Sequence, residues 1–354
     1  MGKVGKEVNQ ADSAKNVFEA RAKKIFKDKN AFNLNYIPEH ILVRKEFDKV
    51  INFFDDCLHY QLPQDLIIVG PAGVGKTLAT EFYSKAAKSY AKRGIDFHYF
   101  YINCREIKNP YTFYQFLLSQ LGFQIKRGFG IDELTRKFIE KTKGYRHLVL
   151  AIDEIDKLFA FSADRANDIL YVITRIKNSS TISTVMISNN TKLMEMFDPS
   201  VNSSLNPILL SLSPYTPEEL YEILEYRAEK GLKIYDSSLL KYISAYTAKE
   251  SGDARLAIKL LFNAAKLAED EGKDKVTEKE VKRCIEETRR EIELGAVERL
   301  SRNQLMVLKS LTGINKKLIP VTESYNTYKG ICEKLGEDFL SYVQYWRVLN
   351  SLSK

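Results

Sequence analysis

Eight residues, GPAGVGKT from Gly70 to Thr77, constrain this chain more than any other stretch. They match G-x-x-x-x-G-K followed by Ser or Thr at every required position, the pattern of a loop that cradles phosphates. The flanks supply the context such a loop needs. Leu66-Ile67-Ile68-Val69 is a short apolar run ending at Gly70, and TLATEFYSKAAKSYAKRG reads as a helix closed by Gly94.

Residue type then assigns roles. Gly70, Gly73 and Gly75 let the backbone curl so that successive N–H groups converge on phosphate oxygens, and the following helix N-terminus adds positive partial charge. The expected nucleotide-contacting set is Gly70, Pro71, Ala72, Gly73, Val74, Gly75, Lys76, Thr77 and Leu78. Lys76 is expected to reach the β- and γ-phosphates. Thr77, the first hydroxyl on the helix, is placed to ligate a Mg2+ ion bridging them, so ATP or ADP with Mg2+ is the expected cofactor.

At 354 residues, 44% hydrophobic and 28% charged, the chain has the makeup of a soluble globular protein of two or three domains. No apolar run approaches the length of a membrane span. The opening MGKVGKEVNQADSAKNVFEARAKK is polar where a signal peptide needs an apolar core, so a cytoplasmic protein is expected. Cys57, Cys104, Cys284 and Cys332 are far apart with no nearby histidine, which argues against zinc or a disulfide framework. A net charge of +8 suits a polyanionic partner such as nucleic acid.

In chain order, residues 1–24 read as a basic arm. Residues 25–213 form a nucleotide-binding domain, in which DFHYFYIN, HLVLAID and TVMISNN read as further strands alternating with helices. That alternation implies a parallel sheet with helices on both faces. Two helices, YTFYQFLLSQLGF and GFGIDELTRKFIEKTKG, form an insertion near 110–142 around the basic turn Lys126-Arg127-Gly128. From Pro214 the pattern is amphipathic and helical throughout, giving a helical domain over 214–296 and three short helices over 297–354.

IDEID supplies further chemistry at a strand end, on a strand expected beside the phosphate-loop strand. Asp153 is placed to hold Mg2+ through its water shell, and Glu154 to orient and deprotonate an attacking water. Asn189 ends the next strand, within reach of a γ-phosphate. Arg255 lies just inside a helix of the second domain, where its guanidinium could swing onto that phosphate. Lys76, Glu154, Asn189 and Arg255 are thus the catalytic candidates.

GPAGVGKT, LAIDEID, MISNN and SGDARLAIKLL, in this order, resemble the Walker A, Walker B, sensor 1 and sensor 2 motifs of the AAA+ ATPases. Within that class YIPEHILVRKEFD, YINCREIKNPYTFYQFL, DILYVITRIKN, LSPYTPEEL and the closing three helices resemble the archaeal origin-recognition initiators. These are relatives of eukaryotic origin recognition complex subunits and their helicase-loading partner. The resemblance runs from about residue 24 to the end. It implies an α/β AAA+ core with a parallel five-stranded sheet, an all-α lid, and a winged-helix domain that binds duplex origin DNA. It also implies a slow ATPase used as a conformational switch, with related initiators and the replicative helicase as partners at the nucleoid. Arg44 falls where the family places a residue near the nucleotide base, and the 126–128 turn where it contacts DNA.

Two departures from that family accompany the match. FDPSVNSSL carries Ser200 where the family has an arginine finger directed at a neighbouring subunit's nucleotide. The sequence stops at Lys354, directly after the expected recognition helix, so the winged-helix domain is expected without its wing, either truncated or naturally short of one. In EDFLSYVQYWRVLNSL, Leu340, Val343, Trp346 or Val348, and Leu349 are expected to pack inward. That leaves Ser341, Tyr342, Gln344, Tyr345 and Arg347 to face a DNA groove, with Lys126, Arg127 and Gly128 as a second contact and Lys316 and Lys317 as phosphate clamps. A signalling or chaperone-like ATPase whose terminal helices bind protein is the alternative.

Overall fold

The computed structural model describes residues 25–352 apart from 61, 93, 126–127, 161, 177–181, 206, 299, 313 and 315–317. The chain divides into two compact units, Met1–Val281 and Lys282–Lys354.

In the first unit, five short runs form strands: β1 Asp65–Val69, β2 Phe97–Asn103, β3 His147–Asp153, β4 Ile182–Ser188 and β5 Pro207–Ser211. All pair in parallel, in the order β2-β3-β4-β1-β5. Every residue of β3 and β4 is buried, which explains why HLVLAID and ISTVMIS show no alternation of polar and apolar positions. Polar side chains inside β4 are satisfied locally: the Thr184 hydroxyl donates to Asp65, and the Ser183 hydroxyl accepts from the Gln64 N–H at 3.1 Å.

Contrary to the expected order, β3 is not beside β1, because β4 lies between them. A strand as thoroughly buried as β4 needs a hydrogen-bonded neighbour on each edge, and the Thr184–Asp65 contact locks it against β1. The site survives this insertion because the three strands end together: Ile152 pairs with Met186, and Met186 with Ile67.

Helices α1 Asp48–His59 and α2 Lys76–Ala91 cover one face of the sheet, packing Phe53, Phe54, Ala79 and Ala87 on Leu66, Ile68, Val149 and Ile187. On the other face, α3 Pro110–Gln120, α4 Ile131–Thr142, α5 Asp156–Phe159, α6 Ala163–Ile176 and α7 Pro199–Ser204 pack Phe113, Phe138, Ile169 and Ile173 on Ile67, Leu150 and Ile152. Three lid helices follow, α8 Pro217–Gly231, α9 Ser237–Glu250 and α10 Ala254–Asp270. α8 opens on a capping box, Thr216 with Glu219, and α10 on Asp253, whose carboxylate accepts the Arg255 N–H. The segment from Ile25 to Tyr36 packs on this lid: Phe26 and Phe32 meet Phe262, and the buried Arg227 donates to the carbonyls of Ala31 at 2.7 Å and Tyr36 at 3.3 Å. Helix α11, Glu278–Glu298, contains the division between the units. None of the described helices is long and apolar enough to cross a membrane.

The second unit is built on α12 Arg302–Thr312, α13 Val321–Leu335 and α14 Tyr342–Ser351, around Met306, Val307, Tyr325, Tyr328, Cys332 and Tyr345. Here the rotation of α14 differs from the sequence expectation. Tyr345 is fully buried, with its hydroxyl 3.1 Å from the Ser310 hydroxyl, whereas Val343 and Trp346 are 57% and 50% exposed. The reason is geometric. Leu340, Val343, Trp346 and Leu349 repeat every three residues, and at about 100° per residue such a series walks round the helix by about 60° a step. Tyr345, Val348, Leu349 and Leu352 keep the three-and-four spacing that a single buried stripe requires.

This phase is testable by denaturant unfolding. Tyr345→Ala is expected to cost the second unit about 3–5 kcal/mol through the cavity it leaves. Trp346→Ala should stay within about 0.5 kcal/mol. Equal costs would reverse the assignment.

Candidate functional site

The phosphate loop joins the end of β1 to the start of α2, and two of its glycines are required by close neighbours. Gly73 has φ +73, and a Cβ there would lie 1.7 Å from the Asp253 carboxylate; Gly75 has φ +87, and a Cβ there would meet the Tyr215 hydroxyl at 2.4 Å. Within the loop, Pro71 and Ala72 are exposed at the crest, Val74 is buried in the core beneath, and Leu78 is half-buried. The Lys76 ammonium is buried and donates to the carbonyls of Gly70 at 2.7 Å and Pro71 at 2.6 Å, and to the side-chain carbonyl of Asn189 at 2.7 Å. Burial lowers the Lys76 pKa; Asp153 acts against that shift and Arg255 reinforces it. A phosphate at this position would supply the counter-charge that burial makes costly to lack.

At the ends of β2 and β3, Asp153 accepts three hydrogen bonds. The Thr77 hydroxyl donates to Oδ2 at 2.7 Å, the Tyr101 hydroxyl to the same oxygen at 2.8 Å, and the Glu154 N–H to Oδ1 at 2.8 Å. Burial, with Asp153 beside it, pushes the Tyr101 hydroxyl well above its usual pKa, so it stays a donor. Glu154 has φ +51, uncommon for a residue with a side chain and worth about 1–3 kcal/mol of strain. Its carboxylate pairs with Arg105 at 3.1 Å. The two neighbouring acids thus differ: Asp153 accepts from three donors, while Glu154 pairs, among the described residues, with one exposed guanidinium.

The lid closes the site from the other side. The Ala254 N–H donates to the Gly73 carbonyl at 3.2 Å, so α10 begins on the phosphate loop itself, and Arg255 stands one residue further on. Arg44 is buried against the same region. It pairs with Glu219 at 3.1 Å and Glu46 at 3.5 Å, donates to the Ser213 carbonyl at 3.1 Å, and lies 4.9 Å from the centre of the Tyr215 ring. Lys76, Thr77, Asp153, Glu154, Asn189, Arg255 and Arg44 therefore gather around one loop. Thr77 and Asp153 offer the hydroxyl and carboxylate oxygens that suit Mg2+, which takes few protein ligands beside phosphate and water. Sequence reasoning missed Arg105, Tyr101, Tyr215 and Asp253. Only Asp253 carried a local signal, as an N-cap residue directly before ARLAIKLL.

The expected nucleic-acid residues are less united. Lys126 and Arg127, with Lys316 and Lys317, lie outside the described residues, and Gly128 sits at φ +94 with open space around it. Ser341 and Gln344 face outward but bond each other as the capping box of α14. Tyr342 and Arg347 are exposed, and Tyr345 is core. Ser200 is exposed on α7.

Comparison with known proteins places these features in context. Residues 62–197 match the AAA domain model and residues 221–286 the Cdc6 AAA+ ATPase-type lid domain model. The ORC1-type DNA replication protein 1 of Sulfurisphaera tokodaii is 32% identical over 342 residues, covering 93% of this chain and 84% of the relative. Among solved structures, the Aeropyrum pernix ORC1 protein in complex with DNA aligns with TM-score 0.72 and 26% identity over 93% of this chain and 88% of that one. The ADP form of the Aeropyrum pernix ORC2 protein aligns with TM-score 0.68 and 25% identity over 93% and 90%.

The Gly73 contact yields a test. Gly73→Ala is expected to weaken ADP binding at least ten-fold in isothermal titration calorimetry, because the methyl collides with Asp253 and the left-handed backbone resists a side chain. Unchanged affinity would mean that the lid does not seat on the loop as described.

Proposed function

The chain belongs to the ORC1-type DNA replication protein family of AAA+ ATPases, and from this we infer that it is an initiator that binds origin duplex DNA and helps bring the replicative helicase there. It works with related initiators in the cytoplasm, at the nucleoid. Support comes from the family membership and from the DNA complex of the Aeropyrum pernix relative. The observation that carries the nucleotide part is the seating of α10 on Gly73, which couples a helix of the lid to the loop that receives phosphates.

In this reading Lys76 and the loop N–H groups neutralise and orient the β- and γ-phosphates. Thr77 and Asp153 would hold Mg2+, which when bound offsets charge on the phosphate oxygens. Glu154 orients a water and accepts its proton, its carboxylate steered by Arg105. Asn189 fixes the Lys76 ammonium from the end of β4, and Arg255 senses the γ-phosphate from the lid. Arg44 and Tyr215 line the base side of the loop. Hydrolysis is slow, and its use is conformational: the lid responds to the number of phosphates. Ser200 offers no guanidinium, so the chain governs its own nucleotide rather than a neighbour's.

Glu154→Gln is expected to keep ATP binding and lose hydrolysis by about 100-fold or more. Normal turnover in that variant would remove the base assignment. Footprinting on duplex DNA across several salt concentrations separates the initiator from a protein-binding ATPase: protection of defined sequence supports the initiator, and weak binding abolished by salt supports the alternative.

A further inference from the structure

The second unit carries an exposed surface whose apolar residues have no role in the function as stated so far. On α14, Tyr342, Val343, Trp346 and Arg347 are all exposed, and steps of three and four residues place them on one outward stripe. Phe339, just before the helix, is exposed as well, with the Lys329 ammonium 5.2 Å from the centre of its ring. Tyr345 on the opposite side sets the helix rotation. The polar groups at this end, Ser341 and Gln344, are committed to each other: the Ser341 N–H and hydroxyl both donate to the Gln344 side-chain carbonyl, at 3.1 and 3.0 Å. What faces outward is apolar and aromatic, with one guanidinium.

Resting on the DNA-binding reading, we propose that Val343 and Trp346 recognise thymine through its 5-methyl group in the major groove, with Arg347 beside them donating to base or phosphate oxygens. Placement is the first support. α13 ends at Leu335, Gly336 caps it in the left-handed region at φ +69, and residues 336–341 form the turn into α14. On the DNA-binding reading α14 is the second helix of a helix-turn-helix, the one whose N-terminal residues meet base edges, and these four residues occupy its first two turns. Chemistry is the second. The thymine methyl is the apolar group that a base pair offers in the major groove, and valine and tryptophan side chains match it where Gln344 is already engaged. Charge is the third. From Arg302 to Lys354 the sequence holds eight Lys and Arg against four Asp and Glu, an excess that suits a polyanion and that an apolar protein partner would not call for.

Trp346 is the only tryptophan of the chain, so tryptophan emission, excited at a wavelength that tyrosine does not absorb, reports this position alone. The full chain is used to select its tightest duplex from a randomised pool. That duplex is then synthesised with thymine and with uracil, and affinities are read from the anisotropy of a label on the DNA. Binding should shift or quench Trp346 emission, and the uracil duplex should bind about four-fold more weakly for each methyl covered. Val343→Ala and Trp346→Ala, with circular dichroism unchanged, should bind both duplexes alike. Equal affinity of the wild-type chain for the two duplexes, or emission unmoved while DNA binds, overturns the proposal and leaves the DNA reading standing. Failure to select any duplex overturns that reading itself. A change in emission with protein concentration and no DNA would show a second copy covering the stripe, and also overturns the proposal.

Discussion

A buried carboxylate must be supplied with donors, and Asp153 is supplied from three directions. Thr77 reaches it from α2, Tyr101 from β2, and the Glu154 N–H from the adjoining peptide. Removing a carboxylate from water costs several kcal/mol unless hydrogen bonds replace the hydration, so these three contacts hold the elements at the sheet edge in one arrangement. The same hydrogen bonds separate the two acids. Asp153 accepts from three donors, while Glu154, at positive φ, pairs among the described residues with Arg105.

The lid adds an electrostatic contrast. Asp253 places a carboxylate against Gly73, and Arg255, two residues later, places a charge that the Lys76 ammonium feels. A phosphate arriving at the loop meets repulsion and attraction from the same helical turn. In the switch proposed above, the position of α10 would depend on how many phosphate charges the loop holds. Because Ala254 also donates to the Gly73 carbonyl, a movement of α10 cannot leave the loop unaffected.

Much of the nucleotide site was legible because its parts are local. A strand, a glycine loop and a helix follow one another without interruption, so GPAGVGKT identifies itself, and IDEID and ISNN each end a strand. What joins the parts was not legible. Strand order is a long-range property, and nothing in HLVLAID says that ISTVMIS will separate it from LIIV. Read from residues alone, only four strands stood out. The fifth, PILLS, begins with proline, lies at the sheet edge and is half-exposed, so it lacks both alternation and a fully apolar run. Arg105, Tyr101 and Tyr215 escaped notice for a related reason: each becomes part of the site only through folding.

The misread rotation of α14 shows where polarity is a poor guide. Tyrosine can be buried when its hydroxyl finds a partner, as Tyr345 does with Ser310, and its ring then joins Tyr325 and Tyr328 at centroid distances of 5.2 and 5.1 Å. Once Tyr345 turns inward, helical geometry turns Val343 and Trp346 outward. Hydrophobicity alone would have buried them, but the aromatic core accepts only one stripe of this short helix. An apolar surface fixed in this way by packing on the opposite face remains exposed for as long as the helix keeps its phase. Whatever binds there meets a stripe whose backbone is already ordered, so the entropy left to lose is that of the side chains it covers.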